Sequence, residues 1–352
     1  MRKNTDCGKI NDMTWLSKTY PRALGFAFVH FAVDLGCAFL IFRLTVSPMQ
    51  GLLALLLYNF CAFAMQLPFG ILIDRFGFGR TAAALGCALV ALSAAFAPLP
   101  LLCAIAAGLG NALFHVGGAV CVMDLSASRL GPLGVFVSTG AVGLYLGGLL
   151  AKATALPSLY VVLLLLSCAA ALGLHARRTA SSPAAPATET FPIKALLPAC
   201  LLFLAVALRS FAGFVPAFPW KAAAPWGHIL VLCVAGGKAL GGLLSDRFGV
   251  RLTAALSLTL ALFCFAPGAF APLGVVGFLL FNMTMPITLY GLTRLFPRAK
   301  GAAFGALTFA LFLGYLPAFL GLALPLPTAV ILTLAAGATL LLLWPVARLW
   351  KR

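Results

Sequence analysis

Six polar side chains stand out in a chain that has few of them. His30 and Asp34 lie four residues apart in "VHFAVD", and Asn111 and His115 repeat that spacing in "NALFH". Arg209, in "ALRSFAGF", and Lys238, in "GGKALGG", each sit inside a long apolar run. A spacing of four puts two side chains on one face of a helix. A carboxylate beside an imidazole in a low-dielectric surrounding can exchange protons near neutral pH. Two histidines and one carboxylate are also a plausible ligand set for a transition metal. Arginine stays charged at any physiological pH, so a buried one calls for a carboxylate partner, a bound anion, or both.

The elements that position these groups are set by composition. The 352 residues are 63% hydrophobic and only 9% charged. A soluble domain carries about 25% charged residues, because its surface faces water. This surface must face lipid. The formal charge of +17 then reads as basic loops at a membrane rather than a nucleic-acid interface. The ten cysteines are scattered without a Cys-x-x-Cys pair, which argues against a disulfide framework and a zinc site. No nucleophile or cofactor motif appears. No catalytic residue, cofactor or resident metal is therefore expected, and the chain is not expected to be an enzyme.

A membrane helix needs about 20 apolar residues. Twelve candidate spans appear: 23–46, 50–73, 80–97, 100–123, 131–151, 157–174, 195–217, 226–245, 252–270, 272–292, 301–322 and 327–348. The first is long and contains His30 and Asp34, so it reads as a retained span and not as a cleavable signal peptide. One connection, 175–194, is long and rich in Ala, Ser, Thr and Pro. The expected organisation is an N-terminal segment 1–22, a six-helix bundle 23–174, a linker 175–194, a second six-helix bundle 195–348 and a tail 349–352. With the N-terminus inside, nineteen of the 24 Lys and Arg fall in inner loops or termini, three outside and two within spans. That asymmetry places both termini in the cytoplasm of a multi-pass cell-membrane protein.

A short phrase occurs twice. "GILIDRFGFGR" at 70–80 follows the second span, and "GLLSDRFGVR" at 242–251 follows the eighth. Asp246 lies 172 positions after Asp74, close to half the chain length. Twelve spans in two halves with this duplicated loop resemble the major facilitator superfamily. The resemblance implies an all-α fold of two pseudo-symmetric six-helix bundles. It also implies that Asp74, Arg75, Asp246 and Arg247 act as conformational latches, with each Asp at a helix N-terminus of the opposite half. A carboxylate is favoured there by the helix dipole. The first copy departs from the pattern, with Phe78 and Gly79 where basic residues are usual and Arg80 one place late. "HFAVD" and "GLGNALFHVGG" are similar to the fosmidomycin-resistance type of exporter. "GLYLGG" at 143–148 resembles an antiporter motif, with Leu144 in place of its proline. Both lean toward export.

Ionisable residues inside spans are functional candidates by default. The superfamily resemblance implies that spans 1, 4, 7 and 10 line a central cavity. At 1.5 Å rise per residue, His30 and His115 lie about 11 and 13 Å from the same face. Asp34 and Asn111 lie about 17 and 19 Å in, so the two pairs match level by level. Asp34 and His30 are assigned to proton coupling. Arg209, His115, Asn111 and Asn282 are assigned to substrate binding. Lys238 reads as a snorkelling or inter-helix residue, and Tyr58, Asn59 and Gln66 are lesser candidates. The expected function is secondary transport of a small anionic or zwitterionic solute by alternating access, coupled to protons, by a monomer in the bilayer. Two rivals are an intramembrane metal enzyme built on His30, Asp34 and His115, and a transporter-like sensor.

Overall fold

The computed structural model describes residues 12–44, 47–126, 129–153, 156–178, 193–214, 220–221, 223–268, 270–322 and 324–347. The N-terminal residues 1–11, most of the expected linker (179–192) and the 349–352 tail lie outside them.

Twelve helical segments follow one another: α1 (Asp12–Phe42), α2 (Pro48–Phe76), α3 (Gly79–Phe96), α4 (Pro100–Leu125), α5 (Gly131–Lys152), α6 (Ser158–Arg178), α7 (Ile193–Phe214), α8 (Trp226–Phe248), α9 (Val250–Phe265), α10 (Ala271–Leu295), α11 (Lys300–Phe319) and α12 (Thr328–Ala347). Ten are long and apolar enough to cross a membrane, and α6 and α9 carry shorter apolar stretches. Their outward faces keep Met49, Leu197, Phe263 and Leu341 exposed. Such a surface is stable only against lipid.

Helix starts coincide with residues that tolerate missing backbone bonds. Pro48 and Pro100 open α2 and α4, and Ser47 caps α2 by accepting the Gln50 N–H. The repeated phrase ends its helix both times in glycine. Gly77 has φ 69° and Gly249 φ 89°, a backbone region that side chains with a Cβ rarely enter. That is why the duplicated phrase keeps Gly directly after its Phe.

Two spans are irregular. In α2, Phe60–Ala64 form a π-turn, and α10 breaks between Asn282 and Thr284, just ahead of Pro286. Pro286 removes a backbone donor from the second segment, so a break there is the expected site. Pro317 lies within the last turn of α11, where the helix is about to end. The first helix also begins at Asp12, inside the stretch expected to precede the first span.

The two halves pack alike. In the first, α1 contacts α4, α5 and α6, α3 contacts α4 and α6, and α2 contacts α4. Adding six to each number gives the contacts of the second half. The halves meet along two principal seams, α2 with α11 and α5 with α8.

Candidate functional site

The four polar residues of α1 and α4 converge in the first half. Asp34 is the hub. Its Oδ1 accepts from Asn111 Nδ2 at 2.8 Å, and its oxygens lie 3.3 Å from His30 Nε2 and 3.6 Å from His115 Nε2. The two imidazoles meet edge to face, with centroids 4.4 Å apart. His30 and Asp34 are each only 4% exposed. The two pairs that match by depth in the sequence therefore meet in space, and all four side chains make one cluster.

Backbone carbonyls orient both rings. His30 Nδ1 donates to Phe136 O at 2.7 Å, and His115 Nδ1 donates to Asn111 O at 2.9 Å. A carbonyl only accepts, so each Nδ1 carries the ring's hydrogen. In neutral rings the Nε2 atoms then hold lone pairs, and both face carboxylate oxygens. Acceptors facing acceptors require a cation among them, either a proton on an Nε2 or a bound ion.

Space for the cluster comes from α5. A Cβ on Gly140 would run into Asp34 Oδ2 and His30 Nε2. Gly143 and Gly147 let α5 approach the carbonyls of Phe31 and Leu35 on α1 equally closely. The "GLYLGG" stretch thus has a packing role against α1. Phe136 and Phe114 flank His30, with ring centroids 4.6 and 5.9 Å away. Gly140 and Phe136 were not singled out in the sequence, and nothing in their local context marks them.

Arg209 lies apart, on α7 in the second half. It is 6% exposed, and its Nη1 donates to Thr284 Oγ1 at 3.2 Å, just after the break in α10. Among the described residues no carboxylate pairs with it, Asp34 included, which leaves a bound anion as the other partner that a buried arginine calls for. Arg209 instead lines a narrow, mostly apolar cleft of about 10 Å³, the space of one water molecule, between α7, α10 and α11, with Met285, Thr288, Phe304 and Thr308. Asn282 is buried, but its amide donates back to Phe278 O at 2.9 Å and does not reach Arg209. Half-buried Lys238 lies within electrostatic reach of both Arg209 and Asp34. On α2, Tyr58 is buried, while Asn59 and Gln66 donate to Leu55 O and Ala62 O of their own helix.

The duplicated phrase ties the halves together. Asp74 Oδ1 and Oδ2 accept from the N–H groups of Gly301 and Ala302, both at 2.8 Å, at the start of α11. Asp246 accepts from Leu130 and Gly131, at 2.7 and 2.8 Å, at the start of α5. Lys300 adds a 2.7 Å ion pair to Asp124 on the same face. Arg75 and Arg247 do otherwise: each is exposed and lies 5.5 Å over its neighbouring ring, Phe76 or Phe248. At the opposite end of the α5–α8 seam, the Tyr145 hydroxyl meets His228 Nδ1.

No protein-family model matches the sequence, and no curated protein matches it. Solved structures do. The E. coli fucose:proton symporter FucP is similar with a TM-score of 0.61 at 16% identity, over 95% of this chain and 100% of that one. FucP in the outward conformation, described as a major facilitator superfamily transporter, gives 0.62 at 16% identity, over 94% and 98%. The chain has the major facilitator fold. Within that fold the two motif aspartates occupy equivalent places, each closing one seam between the bundles. The His–Asp cluster and Arg209 then stand in opposite bundles.

Proposed function

We propose that the protein is a proton-coupled secondary transporter of the major facilitator superfamily, moving a small anionic or zwitterionic solute by alternating access. One observation carries this reading. A cluster that requires a cation sits buried in one bundle, while a buried arginine without a carboxylate partner among the described residues lines a cleft in the other. An arginine of that kind anchors a substrate anion, and a cation-demanding carboxylate in the opposite bundle couples its movement to protons. The fold supports the same reading, since both similar structures are of a transporter and one is described as a proton symporter.

Asp74 and Asp246 act as the latches of the rocking motion, and the basic motif-bearing face is cytoplasmic, with both termini. Export is the direction toward which the fosmidomycin-resistance-type phrases point.

A thermal-shift screen of metabolites and antibiotics on the purified protein, repeated with Arg209→Ala, tests the anchor. Anionic or zwitterionic compounds should stabilise the parent protein and lose that effect in the variant. A stabilising solute that protects Arg209→Ala just as well would overturn the assignment.

A further inference from the structure

We propose that His30, Asp34 and His115 form a binding site for a divalent transition-metal ion of the zinc or cobalt type. The site supplies three ligands, two imidazole Nε2 atoms and one oxygen of Asp34, which leaves the fourth corner of a tetrahedron to water or solute. One ligand atom from each residue falls within a 4.8 Å cluster. The His–Asp separations of 3.3 and 3.6 Å exceed ordinary hydrogen-bond lengths. They approach the roughly 3.3 Å edge of a tetrahedron whose ligands lie about 2.0–2.1 Å from a zinc ion.

The surroundings are those of a ligand set. Metal-bound histidines characteristically donate their other ring N–H to a carbonyl or carboxylate, which fixes tautomer and ring orientation. Both rings do so here, to Phe136 O and Asn111 O. Asn111 Nδ2 holds the carboxylate in turn at 2.8 Å. Gly140 lets α5 pack directly against Asp34 Oδ2 and His30 Nε2, so that any side chain there would push the two ligands out of place. The His115 side chain, 13% exposed, gives the least covered side of the cluster. A metal ion satisfies every lone pair that now faces another acceptor. Hard cations such as magnesium, which prefer all-oxygen shells, suit the site poorly.

Two charges oppose a dication. Lys238 lies within electrostatic reach of Asp34, and Arg209 within reach of Lys238. Removing the nearer charge with Lys238→Gln should tighten metal binding several-fold.

The test uses full-length protein in detergent under reducing conditions, with Co²⁺ alone as the probe. Visible absorption should report about one tetrahedral Co²⁺ per chain, displaced by Zn²⁺ but not by Mg²⁺. Asp34→Asn and His115→Gln should each weaken it at least about tenfold, since even outer-shell changes cost tenfold or more. X-ray absorption of the zinc-loaded parent protein should show a nitrogen and oxygen shell with imidazole scattering, a readout independent of any variant's folding. A sulfur shell would assign the metal to the cysteines and overturn the proposal. So would Co²⁺ binding unchanged in His115→Gln, or no binding at all. The ion would take the lone pairs that the transport reading gives to the coupling proton, whereas solute protection by Arg209 is measured without metal, so the metal site and the substrate anchor can each fail alone.

Discussion

At the residue scale, the site depends on one absent methyl group. Among the described residues, Gly140 is a glycine whose Cβ would meet both Asp34 and His30. Gly140→Ala should cost about 1–3 kcal/mol of stability through overpacking and lower transport of the identified solute at least about tenfold. Gly148→Ala is the control, because its Cβ would stand 3.6 Å from Phe42, ordinary contact. Equal activity of the two variants in proteoliposomes would show that the cluster geometry does not matter. Much of this cluster was readable beforehand, since two i, i+4 pairs on antiparallel helices can be matched by depth. Its completion was not. The Phe136 carbonyl that orients His30 is backbone, identical in every residue, and a glycine needed for space looks like any other glycine. Thr284, the partner of Arg209, stood in the "NMT" stretch beside Asn282, but only the break in α10 decides which of the two reaches the arginine.

At the element scale, the ends of α2 and α8 perform one task twice. A carboxylate accepting two N–H groups at a helix start gains from both charge and dipole, about 1.5–3 kcal/mol per charged hydrogen bond. Asp74→Asn and Asp246→Asn keep the shape and remove the charge. Each should open its seam at the motif-bearing face, seen as at least about tenfold faster labelling of a cysteine placed there, since 1.4 kcal/mol is a factor of ten. Arg75→Ala should change labelling far less, because Arg75 lies over Phe76 and is exposed. If Arg75→Ala matched Asp74→Asn, the latch would belong to the arginine after all. The helices themselves were legible from apolar runs and Pro or Gly punctuation. So was the break in α10 ahead of Pro286, but not the π-turn at Phe60–Ala64, which has no Pro or Gly within it.

At the scale of the whole molecule, the repeat extends beyond the motif. Eight residues before Asp74 and Asp246 stand Gln66 and Lys238, and their carbonyls abut Gly305 and Gly134 across the α2–α11 and α5–α8 seams. Lys238 therefore belongs to a seam, as its glycine-rich setting suggested, yet its side chain also feels Asp34 and Arg209. In the transporter proposed above, two like seams let the bundles rock while the interior of each stays packed. In such a machine the cluster and the arginine govern different things, and this separation can be measured. Asp34→Asn removes the negative charge that demands a cation but leaves Arg209, both seams and the cleft intact. It should abolish accumulation of solute against a gradient in proteoliposomes while equilibrium exchange of labelled solute continues. Arg209→Ala should lose both. Accumulation that survives Asp34→Asn would remove the cluster from coupling. The driving ion would then have to be bound elsewhere in the molecule.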